Sequence, residues 1–327
     1  MRTQPSTRPE PATRTLAAPP SLGPLLARGA LLSPFKRPRP DAPVPATRLV
    51  LPGVRVDLAR LAAYERVCGF ATGPDFLPVT YPHVLAFPLA MRIMAGRDFP
   101  LPLLGLVHTS IGITQYEEPT ATAAYDLAVR VEGLAPHRRG TEATVLTEAR
   151  ADGRLVWESR STYLARHRAH GETPGDAARE PAPDGSGPPP SREEPGTAPD
   201  KEPPSPPASA EWRLAQDVGR RYGAVSGDRN PIHLHPLTAR LFGFPRAIAH
   251  GMWTVARCLA AYGPQSAVEI RADFRAPVLL PGTVTYAARG PAFELRTGDR
   301  VHLTGDVRPL PPGTRASGEP DTAAPTG

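Results

Sequence analysis

The sequence predicts an α+β protein with two similar ordered blocks, each an antiparallel sheet curled around one central helix. The first observation is a helix-length segment in each block that is apolar over most of its surface, "YPHVLAFPLAMRIMAG" at 81–96 and "MWTVARCLAAYG" at 252–263. The second is that strand-like segments with a period of two residues follow each of them. Because a helix that is apolar all round must be enclosed, a sheet that wraps around it is the favoured arrangement.

The positions of the 44 prolines predict where the ordered blocks begin and end. Eleven lie in residues 1–45 and twelve in residues 171–210, and both segments are poor in aromatic residues. Such composition buries too little apolar surface to offset the loss of chain entropy. The predicted organisation is a disordered basic tail, an N-terminal domain, a disordered Pro-rich linker, a C-terminal domain and a second disordered tail, at 1–48, 49–170, 171–210, 211–311 and 312–327.

The elements of the first block run in the order helix, then antiparallel strands. After "LAAYERVCGF", the apolar helix is expected to begin with Pro88 in its first turn. Four strands follow, separated by turn residues such as Asp152-Gly153. They are "GLVHTSIGITQY", "TAAYDLAVRVEGL", "TEATVLTEARA" and "RLVWESRSTYLAR".

The second block repeats this plan. "HPLTARLFG" predicts a short helix, and the apolar helix is expected to end at Gly263, a favourable C-terminal residue. The strands that follow are "AVEIRADFRAPVL", "TVTYAARG", "AFELRTG" and "RVHLTGDVRPL". A sheet wrapped around one helix is the hot-dog fold, so two copies side by side predict a double hot-dog with one continuous sheet.

The distribution of charge argues against a nucleic-acid partner. The net charge is +6, and residues 1–48 hold eight Arg or Lys against two acidic residues, which accounts for all of it (8 − 2 = +6). The remainder is formally neutral and offers no general electrostatic surface to a phosphate backbone.

Cysteine content and hydropathy favour a cytoplasmic protein. Cys68 and Cys258 are too few for a disulfide framework, and Cys258 lies in the apolar helix, as a small core residue would. No apolar run is long enough to span a bilayer, and the basic N-terminus lacks the apolar region of a secretory signal. We expect no membrane partner.

One stretch of the second block concentrates polar groups. "YGAVSGDRNPIHLHPLTARLFGFPRAIAHGM", residues 222–252, contains Ser-Gly-Asp-x-Asn-Pro-x-His followed by Ala-His-Gly-Met. Its order and spacing resemble the hydratase-2 motif of the MaoC-like dehydratases, the (R)-specific enoyl-CoA hydratases. The resemblance covers the C-terminal block by motif and the N-terminal block by architecture only.

The resemblance implies a hydro-lyase that interconverts (3R)-3-hydroxyacyl and trans-2-enoyl thioesters. Asp228 and His233 would activate water and move the proton, a task suited to an imidazole with a reference pKa of about 6.5. Gly251, where a helix begins, would supply the oxyanion-hole N–H. Ser226 and Asn230 would support the catalytic pair, and Phe244, His250 and Met252 are expected at the acyl pocket.

We expect the protein to use no cofactor. Coenzyme A or the phosphopantetheine arm of an acyl carrier protein would enter as part of the substrate, and the motif fits both. Asp228, His233 and His235 could be drawn as a metal set, but His-x-His on a loop without a third ordered ligand is a weak signal, so no metal is expected.

The N-terminal block lacks this motif. It has "ERVCGFATGPDFLPVTYPHVLAF" at the equivalent place, where Asp75 and His83 are the nearest acid and imidazole, without the neighbours of the motif. As in two-repeat hydratases of this family, this domain is expected to be degenerate and to make room for a bulky acyl chain. We expect one active site per chain and a homodimer.

Two other functions fit the fold. Hot-dog proteins also include thioesterases, and fold alone does not decide between them. A non-catalytic acyl-thioester-binding subunit is the third alternative. The spacing of Asp228 and His233 favours the hydratase over both.

Overall fold

The computed structural model, which describes residues 11–167, 205–311 and 313–314, contains one eleven-stranded sheet. The strand order in the sheet is β1-β2-β4-β5-β6-β3-β8-β11-β10-β9-β7. The strands, numbered along the chain from β1 to β11, are Ala12–Thr15, Thr47–Arg55, Val107–Gln115, Ala124–His137, Gly140–Ala151, Arg154–Arg166, Ala208–Leu214, Val268–Phe274, Gly282–Arg289, Ala292–Thr297 and Arg300–Pro309.

The sheet contains the same five-strand pattern twice. The N-terminal half has the order β2-β4-β5-β6-β3, and the C-terminal half has the matching order β7-β9-β10-β11-β8. The halves join where β3 and β8 pair antiparallel, from Ser110 opposite Asp273 to Gln115 opposite Val268. The predicted continuous sheet of a double hot-dog is confirmed.

Two helices form the centres of the two halves. The helices α1 to α7 are Leu22–Leu32, Leu58–Cys68, Tyr81–Met94, Val218–Ser226, Pro231–Leu234, Pro236–Leu241 and Gly251–Tyr262. Ten of the fourteen residues of α3 and seven of the twelve residues of α7 are buried, as expected for enclosed helices. Helix α7 ends at Gly263, whose positive φ of 115° suits glycine, and this predicted end is confirmed.

The predicted start of α3 is wrong. The helix begins at Tyr81, so Pro82 occupies its first turn and Pro88 lies inside it. A first-turn proline loses no helical hydrogen bond, which is why Pro82 suits that position better.

The prediction that residues 1–48 form a disordered tail is wrong for residues 11–48. Strand β1 pairs in parallel with β2, and α1 packs on α3 with Leu25 and Gly29 buried. Lys36 donates from Nζ to the backbone carbonyls of Gly96, Arg97 and Phe99, just beyond the end of α3. Composition averaged over 48 residues concealed a short leucine-rich helix that is stabilised by packing on another helix.

Two other boundaries differ from the predicted ones. Strand β2 begins at Thr47 and β7 begins at Ala208, so the C-terminal domain begins inside the predicted linker. The rest of the linker from 171 to 204, residues 1–10, and nearly all of the predicted tail 312–327 lie outside the described residues. Among the described residues, no helix combines the length and hydropathy needed to cross a membrane.

Helices from the two domains pack together beside the quoted motif. Arg60 of α2 donates from Nε to the carbonyl of Val225 at the end of α4, at 2.6 Å. Trp253 of α7 donates from Nε1 to the carbonyl of Val67, at 2.9 Å. The buried Cys68 and Cys258 belong to the same apolar core, as predicted for Cys258. The N-terminal domain is therefore part of the support of the C-terminal loop.

Candidate active site

The loop that carries the polar motif connects α4 to α5. Helix α4 ends at Gly227, whose φ of +85° places it in the left-handed region that favours glycine. The buried Ser226 accepts at Oγ from the amide of Asp228, at 3.2 Å. Asn230 caps α5 by accepting at Oδ1 from the amide of Ile232, at 3.4 Å. Ser226 and Asn230 thus hold the loop, which agrees with their predicted supporting role.

Asp228 presents one carboxylate oxygen that the loop does not use. Its Oδ1 accepts from the amide of Asn230 at 3.1 Å, and its Oδ2 lies 3.8 Å from Nε2 of His250. The side chain is 28% exposed, so the carboxylate is at the edge of the buried region. Oδ2 is available to hydrogen-bond a water molecule or a substrate hydroxyl.

His233 is buried and fixed in one tautomer. Its Nδ1 lies 2.8 Å from the carbonyl oxygen of Ile248. Since a carbonyl only accepts, Nδ1 carries the proton, and Nε2 of the neutral ring is a free acceptor. Burial lowers the pKa of His233, partly opposed by the negative charge of Asp228. His233 is therefore neutral at pH 7 and can accept a proton at Nε2.

His250 connects the loop to the start of α7. Its Nε2 donates to the backbone carbonyl of Asp228 at 2.9 Å, and its ring stacks on that of His233 with centroids 3.7 Å apart. Burial, together with the nearby His233, lowers the pKa of His250 to about 3. The predicted substrate-binding role of His250 stays a prediction, whereas its contacts hold the two catalytic candidates together.

Gly251 is the first residue of α7, so its amide has no acceptor within the helix. The helix dipole makes this position favourable for negative charge. A Cβ on Gly251 would lie 2.9 Å from the ring of Phe274, so glycine is needed for this close approach. The geometry suits the predicted oxyanion-hole donor.

A narrow cavity beside Asp228 is built by both domains. Its volume of about 20 Å³ is enough for roughly one water molecule. It is lined by His83, Val84, Phe87, Tyr222, Ser226, Asp228 and Met252. Met252 therefore lies at the site as predicted, and α3 of the N-terminal domain forms the opposite wall.

Several predicted residues lie elsewhere. Phe244 does not line this cavity, and its amide donates to the carbonyl of Ala239. His233, His250 and Gly251 do not line the cavity either, but they contact or adjoin the loop of Asp228. His235 is exposed and caps α6 by accepting at Nδ1 from Leu237, at 3.2 Å. Asp75 is exposed, and its carbonyl accepts from the amide of Ala121. The substrate-binding role of Phe244 stays a prediction.

A larger concavity of about 550 Å³ lies on strands at the junction of the two halves of the sheet. It shares no lining residue with the cavity beside Asp228. Its charged residues include Glu269 and Arg271, which pair with each other at 2.8 Å. Size alone does not make it the better candidate, because the groups suited to acid–base chemistry are around Asp228.

Comparison with known proteins decides the family. The chain is 36% identical over 281 residues to 3-hydroxyacyl-thioester dehydratase X of Mycobacterium tuberculosis, which covers 84% of this chain and 92% of the relative. The chain belongs to the MaoC-like dehydratase family. The MaoC like domain matches residues 191–295, which include the whole catalytic loop and Gly251.

Solved structures of MaoC-like dehydratases agree with the fold. The crystal structure of HtdX from Mycobacterium tuberculosis matches with a TM-score of 0.65 and 34% identity, covering 80% of this chain and 100% of that one. A MaoC-like dehydratase from Phytophthora capsici matches with a TM-score of 0.60 and 16% identity, over 83% of this chain and 96% of its own. The second likeness concerns the fold alone.

Sequence analysis missed two residues that bear on the site of this MaoC-like dehydratase. Arg60 supports the end of α4, and nothing in the sequence distinguishes it from the many other arginines. His83 lies in the cavity wall near Asp228, although it was set aside for lacking the neighbours of the motif. A signal was available, because His83 lies in the first turn of the central helix α3, and the equivalent helix α7 begins at Gly251 beside the motif.

The described residues of this MaoC-like dehydratase include one group with the composition of a metal site. One ligand atom each from Asp228, His233 and His250 lies within 4.8 Å of the others. This group contains His250 in place of the His235 considered from the sequence. His235 is not part of the group, because it caps α6. Three ligands would fit an open catalytic site in number, and both imidazoles are oriented by backbone carbonyls. The expected absence of a metal stays a prediction.

Proposed function

We propose that the protein is a hydro-lyase that interconverts (3R)-3-hydroxyacyl thioesters and trans-2-enoyl thioesters. The observation that carries this proposal is the pairing of a carboxylate with a free oxygen and a neutral imidazole with a free Nε2, on Asp228 and His233. A relative that is named a 3-hydroxyacyl-thioester dehydratase supports it.

The distance between the two groups suits a shared water molecule. Ligand atoms of Asp228 and His233 lie within 4.8 Å of each other, a span that one water bridges with two hydrogen bonds of about 2.8 Å. In hydration, the water oxygen bonds to C3, and a water proton passes through the pair to C2. In dehydration, the pair removes the C2 proton and returns a proton to the departing 3-hydroxyl, which leaves as water.

The thioester oxygen becomes negative when the bond to C3 forms or breaks. The amide of Gly251 at the start of α7 would donate to that oxygen, and the helix dipole adds to the stabilisation. The ring of Phe274 lies next to Gly251. The hydroxyl and the proton come from one side of the substrate, so addition is syn. The (R) configuration at C3 depends on which face of the substrate meets the water, and we expect the face used by the family that the motif resembles.

The proposed substrate is an acyl thioester of coenzyme A or of an acyl carrier protein. Both carry the same phosphopantetheine arm, and the reaction needs no further cofactor. A metal would be an addition to this chemistry, so we expect activity to survive a chelator. The homodimer also stays a prediction, for which light scattering on the purified protein is the test.

The experiment measures the loss of enoyl-thioester ultraviolet absorbance with crotonyl-CoA and with a longer trans-2-enoyl-CoA. Asp228→Asn is the test variant because it keeps the shape of the side chain and removes its charge. We expect hydration by the wild type, a (3R) product on chiral analysis, and a fall in kcat of at least about 100-fold in the variant. A chelator is added in a parallel reaction.

Each other outcome contradicts a defined part of the proposal. Release of free thiol without hydration would indicate a thioesterase. Binding without turnover of CoA-linked and carrier-linked substrates would indicate a non-catalytic subunit. An (S) product would contradict syn delivery to the expected face, and loss of activity with the chelator would indicate a metal at Asp228, His233 and His250.

A further inference from the structure

The cavity beside Asp228 has a polar group on each side. Asp228 and Ser226 come from the C-terminal domain, and His83 comes from the first turn of α3 in the N-terminal domain. The other lining residues of α3 are the apolar Val84 and Phe87. A water molecule in a space of about 20 Å³ would therefore lie among residues that include a carboxylate of one domain and an imidazole of the other.

His83 is a buried polar residue whose own hydrogen bonding is incomplete. It is 8% exposed, and its Nδ1 is buried without a hydrogen-bond partner among the described residues. Leaving such a group unsatisfied costs about 1–3 kcal/mol, so buried polar side chains normally have partners. Because His83 lines the cavity, a ligand or water there can contact its ring.

Packing alone does not explain the imidazole. The ring of His83 lies parallel to that of His108 with centroids 6.2 Å apart, and His108 in turn contacts the rings of Tyr163 and Phe274. An apolar ring would make the same contacts without an unsatisfied nitrogen. His108 provides an internal comparison, since its Nε2 is also buried without a hydrogen-bond partner among the described residues but His108 does not line the cavity.

The charge state of His83 suits hydrogen bonding to a water held by a carboxylate. Burial lowers the pKa of His83 to about 4, while the nearby negative charge of Asp228 raises it. The ring is therefore neutral at pH 7 and offers one N–H donor. Because Asp228 only accepts, a donor on the opposite wall complements it.

We propose that His83 is a substrate-contacting residue whose imidazole N–H binds the reacting water oxygen, which becomes the 3-hydroxyl oxygen of the product, opposite Asp228. The inference rests on the dehydratase function proposed above. It assigns the N-terminal domain a direct contact with the reacting group, beyond making room for the acyl chain.

The test compares His83→Phe with the matched control His108→Phe. Each replaces an imidazole of the same ring stack, which has one buried unpaired nitrogen, by an apolar ring of similar shape. For His83→Phe we expect kcat for hydration of crotonyl-CoA to fall by roughly 10–100-fold, the effect of losing a hydrogen bond in a charged site. Butyryl-CoA, which lacks the 3-hydroxyl, should bind with an unchanged Kd. His108→Phe should change kcat by less than about threefold.

A binding measurement tests the contact without turnover. In the Asp228→Asn background, the preference for 3-hydroxybutyryl-CoA over butyryl-CoA should decrease by roughly 3–10-fold when His83→Phe is added. His83→Gln, which retains an N–H donor, should keep part of the preference, and this variant also covers the case in which His83→Phe does not fold.

The outcomes separate this proposal from the function on which it rests. If the wild type hydrates crotonyl-CoA and His83→Phe is equally active, only the role of His83 is overturned. Equal losses in His83→Phe and His108→Phe, with butyryl-CoA binding also impaired, would show a packing role and overturn it too. If the wild type is inert on CoA-linked and carrier-linked substrates, the dehydratase proposal is overturned together with this one.

Discussion

We expect Gly219 in α4 to determine the position of His233, although Gly219 itself takes no part in the reaction. A Cβ at residue 219 would overlap the carbonyl oxygen of His233 and lie 3.0 Å from its carbonyl carbon. Because non-bonded carbons pack at about 3.5–4.0 Å, the backbone of His233 would have to move by about 0.5–1 Å. Catalytic groups tolerate about 0.5 Å, and a 1 Å displacement can cost about 100-fold in rate.

We therefore expect Gly219→Ala to lower kcat for enoyl-thioester hydration by roughly 10–100-fold. The variant should keep its helix, since alanine favours a helix interior by about 1 kcal/mol over glycine. Gly23→Ala is the control, because it is the same substitution in a helix where a Cβ would meet nothing within 4 Å. Circular dichroism and kcat are measured for both. A Gly219→Ala enzyme with wild-type kcat would refute the steric argument.

Two further predictions concern stability. Leu25→Ala removes a buried side chain of α1 and should lower the free energy of unfolding, measured by urea titration, by about 2 kcal/mol. An unchanged free energy of unfolding would contradict the packing of α1 and support the predicted disorder of residues 11–48. Burial lowers the pKa values of His83 and His250 to about 4 and 3. Since unfolded histidine titrates near pH 6.5, the unfolded chain binds more protons than the folded chain below that pH. The free energy of unfolding should therefore decrease as the pH is lowered from 6.5 to about 4. A constant urea midpoint over that range would contradict this.

The strands and central helices were predictable because their patterns are local. The apolar segment at 252–262 and the glycine after it, Gly263, predicted α7 almost to the residue. The alternating pattern of Arg154–Arg166 predicted β6 in full. Each pattern reflects which face of an element is buried, so it is written along the element itself.

The loop that carries Asp228 was predictable for a similar reason. Ser226, Asp228 and Asn230 bond to one another's backbone within a few residues, so their spacing carries the geometry. His250 is an intermediate case, because its motif marked it but only the fold shows that it bonds the backbone of Asp228 from 22 residues away.

The N-terminal helix α1 was missed because its stability comes from distant residues. Gly29 allows α1 to approach α3 and Leu103, and Lys36 bonds carbonyls some 60 residues away. The local sequence therefore shows only a leucine-rich pattern within a Pro-rich segment, and the average composition of the segment does not reveal that pattern. The start of β7 inside the predicted linker has the same origin, since its pairing partner β9 lies far along the chain.

By itself, the sequence determined the class of the fold, its duplication, and the identity of the loop with Asp228 and His233, because periodicity and motif spacing are properties of neighbouring residues. Only the tertiary structure decided that α3 of the N-terminal domain faces that loop and brings His83 to the cavity beside Asp228. The physical reason is that this contact joins residues 145 positions apart, through the packing of α3 against α4, and no local pattern encodes such a pairing.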